Sequence, residues 1–264
     1  GFDEAWRIVK EQQGTADEGE LGRAMAALRA GEGEGESWGA ENGAHNALHS
    51  LKAASPPEFK AVVPGRGYAG RFLAYLEGRG FAGHAEAVCE RYGLHYALTG
   101  DFAWRLLFPL CEENGRLAGW TGRDIRDAAW LRYRTTEALP NRVVYNSHLA
   151  LREGGETLVI VEGPVDAVKV DYFGRDFGVS AVATLGTALP RERRAALAML
   201  ARGFGRVALL FDEDTLAEVT SLGPELSETT GLNVQLWRPG VKDPGKMSSA
   251  EIAEFLTHRL GAAP

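Results

Sequence analysis

Apolar positions recur at helical spacing over Tyr68–Arg79 and again over His84–Tyr92, and a glycine closes each stretch, Gly80 and Gly93. The pattern then becomes β-like. Arg105–Leu110 runs into the turn Glu113-Asn114-Gly115, and Arg116–Thr121 returns, which predicts a hairpin built on Asn-Gly. Trp130–Thr135 reads as a further strand. From Glu156 onward, short apolar runs alternate with helical patterns. Strands are predicted at Leu158–Val161, Ala181–Leu185, Val207–Phe211 and Asn233–Trp237. Helices are predicted at Val165–Tyr172, Pro190–Arg202, Leu216–Thr230 and Ser248–Leu260, the last opened by a capping box of Ser248 and Glu251. Near-continuous apolar strands between helices predict a mainly parallel sheet with helices on its faces.

Upstream the pattern is weaker. Helices are expected over Asp3–Gln13 and Leu21–Ala30, followed by a Gly/Glu-rich linker, Gly31–Glu36, and the break Ser55-Pro56-Pro57. The expected organisation is α/β: a helical leader over 1–62, a mixed α+β lobe over 63–152, and a lobe with a mainly parallel sheet over 153–264. A cleft is expected between the two lobes.

Composition removes several classes of function. The chain of 264 residues contains no apolar run long enough to span a bilayer and no basic-then-apolar leader, so no membrane partner is expected, and its two cysteines read as free thiols of a reducing cytoplasm. Cys89 and Cys111 are too few and too far apart for a zinc site of their own, so no zinc is expected in this chain. The net charge is −7, unevenly distributed. Lys+Arg minus Asp+Glu is 6 − 11 over residues 1–60, 11 − 9 over 61–150 and 12 − 16 over 151–264. A mildly basic middle is therefore flanked by acidic ends, and cations bound at the C-terminal carboxylates would offset part of that charge.

Those carboxylates stand where an open α/β sheet gathers its functional groups, at the carboxyl ends of strands. Glu162 directly follows Leu158–Val161, Asp212 and Asp214 follow Val207–Phe211, and Asp243 lies in the turn after Asn233–Trp237. Two carboxylates about 4 Å apart repel by roughly 4 kcal/mol at an effective dielectric near 20, so a cluster of them favours a cation in its midst. Mg²⁺ or Mn²⁺, two or more ions, suits such oxygen ligands. Helix capping or plain solvation is the bland reading of each acid alone. Gly186 and Thr187 fit a tight strand-to-helix turn, with phosphate binding at the following helix as the alternative.

Four stretches resemble the TOPRIM motifs of DnaG-type DNA primases: Val161-Glu162-Gly163-Pro164-Val165-Asp166, Leu185-Gly186-Thr187-Ala188-Leu189, Asp212-Glu213-Asp214 and Lys242-Asp243-Pro244. The resemblance implies that Glu162, Asp212 and Asp214 are catalytic and hold metal, that Asp243 is an accessory ligand, and that Asp166, Gly186 and Thr187 support the site. The chain departs from the family at Gly245, where primases usually carry a second Asp, which points to one metal position that is weaker or vacant and to a preference for Mn²⁺.

Between residues 100 and 145 arginines alternate with aromatics, a composition suited to tracking a phosphate backbone and stacking bases, although acids in the same stretch also permit surface ion pairs. Arg105–Leu110, Gly119–Arg123, Leu131–Thr135 and Val144–Asn146 resemble segments of the primase basic subdomain. That resemblance nominates Arg105, Arg123, Arg132, Tyr133, Tyr145 and Asn146 for nucleic-acid or nucleotide contact. The implied activity is synthesis of RNA primers from ribonucleoside triphosphates on a single-stranded DNA template. The family's template-reading zinc ribbon is expected upstream of Gly1, and a replicative helicase is the expected partner through regions outside this chain. A phage or plasmid source is a further expectation. Two rivals are a TOPRIM nuclease or topoisomerase fragment, which would cleave DNA, and a non-catalytic module that only holds single strands. A priming assay separates the three.

Overall fold

In a computed structural model of the chain, the described residues are 56–126, 131–212, 215, 220–240 and 244–261. Two sheets organise them. The first is a five-stranded antiparallel meander in sequence order: β1 Lys60–Ala61, β2 His95–Ala97, β3 Arg105–Cys111, β4 Leu117–Asp124 and β5 Tyr133–Thr135. The expected Asn-Gly hairpin joins β3 to β4, with Gly115 at φ 82° and Phe108 opposite Thr121. Between β1 and β2 lie α1, Ala69–Leu76, and α2, Ala85–Arg91, separated by a widened turn, Glu77–Phe81. Gly80 sits in that turn at φ 82°, a conformation costly to residues with a Cβ. Lys60–Ala61, assigned to the leader from sequence, pairs with His95–Tyr96 and belongs to this sheet. The expected leader helices lie outside the described residues, as do Asp214 and Asp243.

Helix α3, Ser147–Glu153, leads into the second sheet, which is parallel. It contains β6 Thr157–Val161, β7 Val179–Ala183, β8 Arg206–Leu210 and β9 Val234–Trp237, in the order β7-β6-β8-β9. Its helices are α4 Pro164–Gly174, α5 Arg191–Ala201, α6 Leu222–Thr230 and α7 Ser249–Leu260. Both hydrogen bonds of the predicted capping box open α7. β6 and β7 are buried at every position, which is why they read as unbroken apolar runs.

One hydrophobic cluster joins the two sheets. It includes Leu106 and Phe108 of β3, Tyr145, and Val159 and Val161 of β6. Buried Lys169 of α4 crosses the same junction. Its ammonium donates to the carbonyls of Arg79 and Met247 and lies 4.0 Å from the centre of the Phe81 ring. A buried ammonium without such acceptors would be strongly unfavourable.

Candidate active site

The strand order creates a switch point. From β6 the chain crosses one way to β7, and from β8 it crosses the other way to β9, so a crevice opens between the carboxyl ends of β6 and β8. Val161 and Leu210 are register partners on those strands. Glu162 follows the first directly, and Asp212 follows the second after Phe211. The fold thus brings together two half-buried carboxylates that are remote in sequence. Both have interactions with other groups of the protein.

The loop after β7 crosses this end of the sheet. Thr184 N donates to Val161 O at 2.9 Å, Leu185 N donates to Glu162 O at 3.0 Å, and the Thr184 hydroxyl donates to Gly186 O at 2.8 Å. Leu185 holds φ 63°, a strained region for a branched side chain, and Gly186 follows at φ 117°. The expected strand Ala181–Leu185 therefore lies two residues earlier, at Val179–Ala183, because its last two residues turn across the sheet end to hold the Glu162 backbone. Half-buried Thr187 lies in the same loop. Arg193 of α5 braces it from behind, donating to Thr184 O (3.0 Å) and Val143 O (2.8 Å), and burial lowers its pKa. Leu185 lay within a motif but was given no role of its own, and no motif marked Arg193. The positive φ and the buried guanidinium are visible only in three dimensions.

The antiparallel sheet reaches the same turn. Arg123 and Tyr133 are cross-strand partners, with the guanidinium 5.0 Å from the centre of the phenol ring. A Cβ at Gly163 would stand 2.8 Å from Asp166 Oδ2 and 3.5 Å from the Tyr133 hydroxyl, so glycine permits this close approach. Asp166 occupies the first turn of α4, where a carboxylate also suits the helix dipole. Among the described residues no acceptor takes the buried hydroxyl protons of Tyr133 and Tyr75, the Arg123 guanidinium lies beside both, and burial, above all, raises the Tyr133 phenol pKa. Tyr75 was not singled out from sequence.

The other nominated residues are placed differently. Arg105 is buried and donates to Gly122 O (3.1 Å), Arg132 O (3.1 Å) and Leu131 O (3.0 Å), with Asp124 3.6 Å away. Its donors hold the loop before β5, and burial lowers its pKa. Tyr145 and Asn146 are also interior. The Tyr145 main chain bridges to Ala183, and Asn146 Nδ2 donates to Ala181 O at 2.8 Å, so both cap the outer edge of β7. Nearby arginines form ion pairs: Arg116 and Arg142 with Glu112, Arg126 with Asp124, Arg134 with Asp101. Exposed Arg132 has no ion-pair partner among the described residues.

An antiparallel sheet followed by a parallel one, in these strand orders, matches a known architecture. The structure superposes on the RNA polymerase domain of Mycobacterium tuberculosis primase DnaG, solved in complex with double-stranded DNA, with a TM-score of 0.59. The match covers 81% of this chain and 80% of that one at 21% identity. The fold is that of a DnaG-type primase catalytic core. A DnaG primase catalytic domain bound to single-stranded DNA superposes with a TM-score of 0.56, covering 83% of this chain and 79% of that one at 21% identity. No family model matches the chain. In sequence, the chain is 27% identical over 154 residues to the DNA primase of Clostridium acetobutylicum, across 56% of this chain and 25% of that protein. The chain spans about a quarter of the length of the curated primases it matches. Among the described residues, no helix is long and apolar enough to cross a membrane.

Proposed function

We propose that this chain is the catalytic core of a primase, an RNA polymerase that joins ribonucleoside triphosphates on a single-stranded DNA template. The observation that carries the reading is the convergence of Glu162 and Asp212 at the switch point, with Arg123 and Tyr133 of the other sheet against the same turn. These oxygen donors fit a hard divalent cation, Mg²⁺ or Mn²⁺, better than a soft one. Glu162 and Asp212 would hold it with Asp214, which follows the same strand as Asp212, and Asp243, which follows the last strand of the sheet in sequence. Bound there, such ions would supply neutralisation of phosphate charge and polarisation of the reacting α-phosphate.

The chain's own groups supply the rest. Arg132 and Arg123 meet nucleotide phosphates, and the hydroxyls of Tyr133 and Tyr75, beside Arg123, donate to ligand oxygens. Asp166, Gly186 and Thr187 shape the turn that presents Glu162. Glu162 accepts the proton of the attacking 3′-hydroxyl as its oxygen bonds to the α-phosphorus, and pyrophosphate leaves. Arg105, Tyr145 and Asn146 hold the scaffold rather than the ligand. The reading carries with it an RNA primer product, a cytoplasmic location and a replicative helicase as partner. Incubation with single-stranded DNA, labelled ribonucleotides and Mg²⁺ or Mn²⁺ tests it. Labelled oligoribonucleotides support the reading, whereas cleaved DNA would select the nuclease alternative.

A further inference from the structure

The turn Val63–Tyr68 leads the chain out of β1 and into α1, at the end of the first sheet where β3 begins and β4 ends. Gly67 is required there. It holds φ 53°, and a Cβ would stand 2.9 Å from the Tyr96 hydroxyl. The next residue, Tyr68, is 51% exposed, so its ring offers a face to solvent. Its ring meets that of Trp104 edge-on at 6.1 Å. Trp104 itself holds φ 59°, an outlier for so bulky a residue. The strain is held by main-chain bonds on both sides, Trp104 N to Ala97 O (2.8 Å) and Ile125 N to Trp104 O (3.1 Å). The guanidinium of Arg71, one turn into α1, lies 5.4 Å from the centre of the Trp104 ring. Strain of this kind persists where the surroundings impose it and is concentrated at ligand-contacting positions.

Charge adds a direction. Arg66 and Arg71 are exposed and have no ion-pair partner among the described residues. The acids that flank Trp104 in this sheet are already engaged, Asp101 by Arg134 and Asp124 by Arg126 and Arg105. This corner therefore offers two arginines without an ion-pair partner among the described residues beside an exposed aromatic face, on a protein of net charge −7. It is also continuous with the proposed nucleotide-contacting edge, because Trp104 precedes Arg105, whose guanidinium holds the carbonyls of Leu131 and Arg132.

We infer that Tyr68, Trp104 and Arg71 form a stacking platform for an unpaired base of single-stranded DNA, with Arg66 and Arg71 against the flanking phosphates. An exposed aromatic ring beside unneutralised arginines is the chemistry that holds single strands without reading their sequence. Paired bases do not offer the face that Tyr68 would take. The inference rests on the template-binding part of the proposed function and extends it to a surface away from the carboxylates.

The test is fluorescence anisotropy with a labelled oligo-dT of about 16 nucleotides, its abasic counterpart and a duplex, on the wild-type chain and on Tyr68→Ala, Tyr68→Phe and Arg71→Gln. Tyr68 is surface-exposed, so its truncation leaves no cavity. Tyr68→Ala should weaken oligo-dT binding by about tenfold, Tyr68→Phe should restore it, and the abasic strand should bind both proteins alike. Arg71→Gln should lower the salt dependence by about one unit of slope. If the wild type binds the single strand and Tyr68→Ala binds it equally well, the platform is overturned while the catalytic reading stands. Equal loss on the duplex and the abasic strand also overturns it. If the wild type binds no single strand, both readings fall.

Discussion

Arg105 donates its guanidinium to the main-chain carbonyl of Arg132, 3.1 Å away. One arginine is thereby consumed inside the protein so that the next is presented outside it. The two should respond differently to removal. Arg105→Ala leaves three carbonyls and Asp124 short of a donor and should cost about 2–3 kcal/mol of stability in urea unfolding. Arg132→Ala should leave stability within about 0.5 kcal/mol but weaken nucleotide or single-strand binding, with a salt slope lower by about one. A loss of binding with Arg105→Ala in protein shown to be fully folded would contradict this division.

Gly80 lies where the junction of the two sheets is tightest. A Cβ there would overlap the Met247 carbonyl oxygen and stand 2.7 Å from Lys169 Nζ, at a φ of 82°. Gly80→Ala should therefore lower stability by more than about 2 kcal/mol, read by thermal unfolding. The same substitution at Gly65, also at positive φ but with open space around it, should cost only the conformational term, about 1 kcal/mol.

Asp171 of α4 is buried, accepting from the Tyr92 hydroxyl (2.7 Å) and from Ala181 N (3.0 Å). Burial pushes its carboxyl from 3.8 up to about 6. At intermediate pH the native protein then holds a proton that the unfolded chain has released, so this group's contribution falls as pH rises from 3.8 to about 6. Asp171→Asn removes the titration. Its stability relative to wild type should grow across that window, by up to about 3 kcal/mol, and stay constant above it. Urea unfolding at about pH 4.5 and about pH 7 checks the sign. A variant that loses ground with rising pH would contradict it.

Cys89 and Cys111 are buried free thiols, and burial pushes each up to about 12. Both should resist alkylation in the native protein and react at once in denaturant, because the thiolate is the reactive form. Mass spectrometry after brief iodoacetamide treatment reads this directly.

Much of the second sheet was legible because buried parallel strands are near-continuous apolar runs between helical patterns. The acids at their ends could be aligned with a known motif set before their proximity was visible. Strands β1 and β2, of two and three residues, and the seven-residue α3 are too short to establish a period. The roles of the basic residues were least legible. Arg105, Arg123 and Arg132 read alike as charges beside aromatics. Only the fold separates a guanidinium bonded to three carbonyls from one stacked on Tyr133 and one facing solvent. Tyr145 and Asn146 were nominated as contacts by the resemblance of Val144–Asn146 to a primase segment, and the fold places them under the edge of β7.

The central claim is that Glu162 and Asp212 form one metal-dependent site for nucleotidyl transfer. The most direct measurement is template-dependent incorporation of labelled ribonucleotides by the wild type, Glu162→Gln and Asp212→Asn, paired with calorimetric Mn²⁺ titration of all three. The account predicts RNA products from the wild type, loss of more than about a hundredfold in each variant, beyond what an outer-shell partner usually costs, and weaker Mn²⁺ binding with the fold retained. Either folded variant synthesising RNA at the wild-type rate would contradict it.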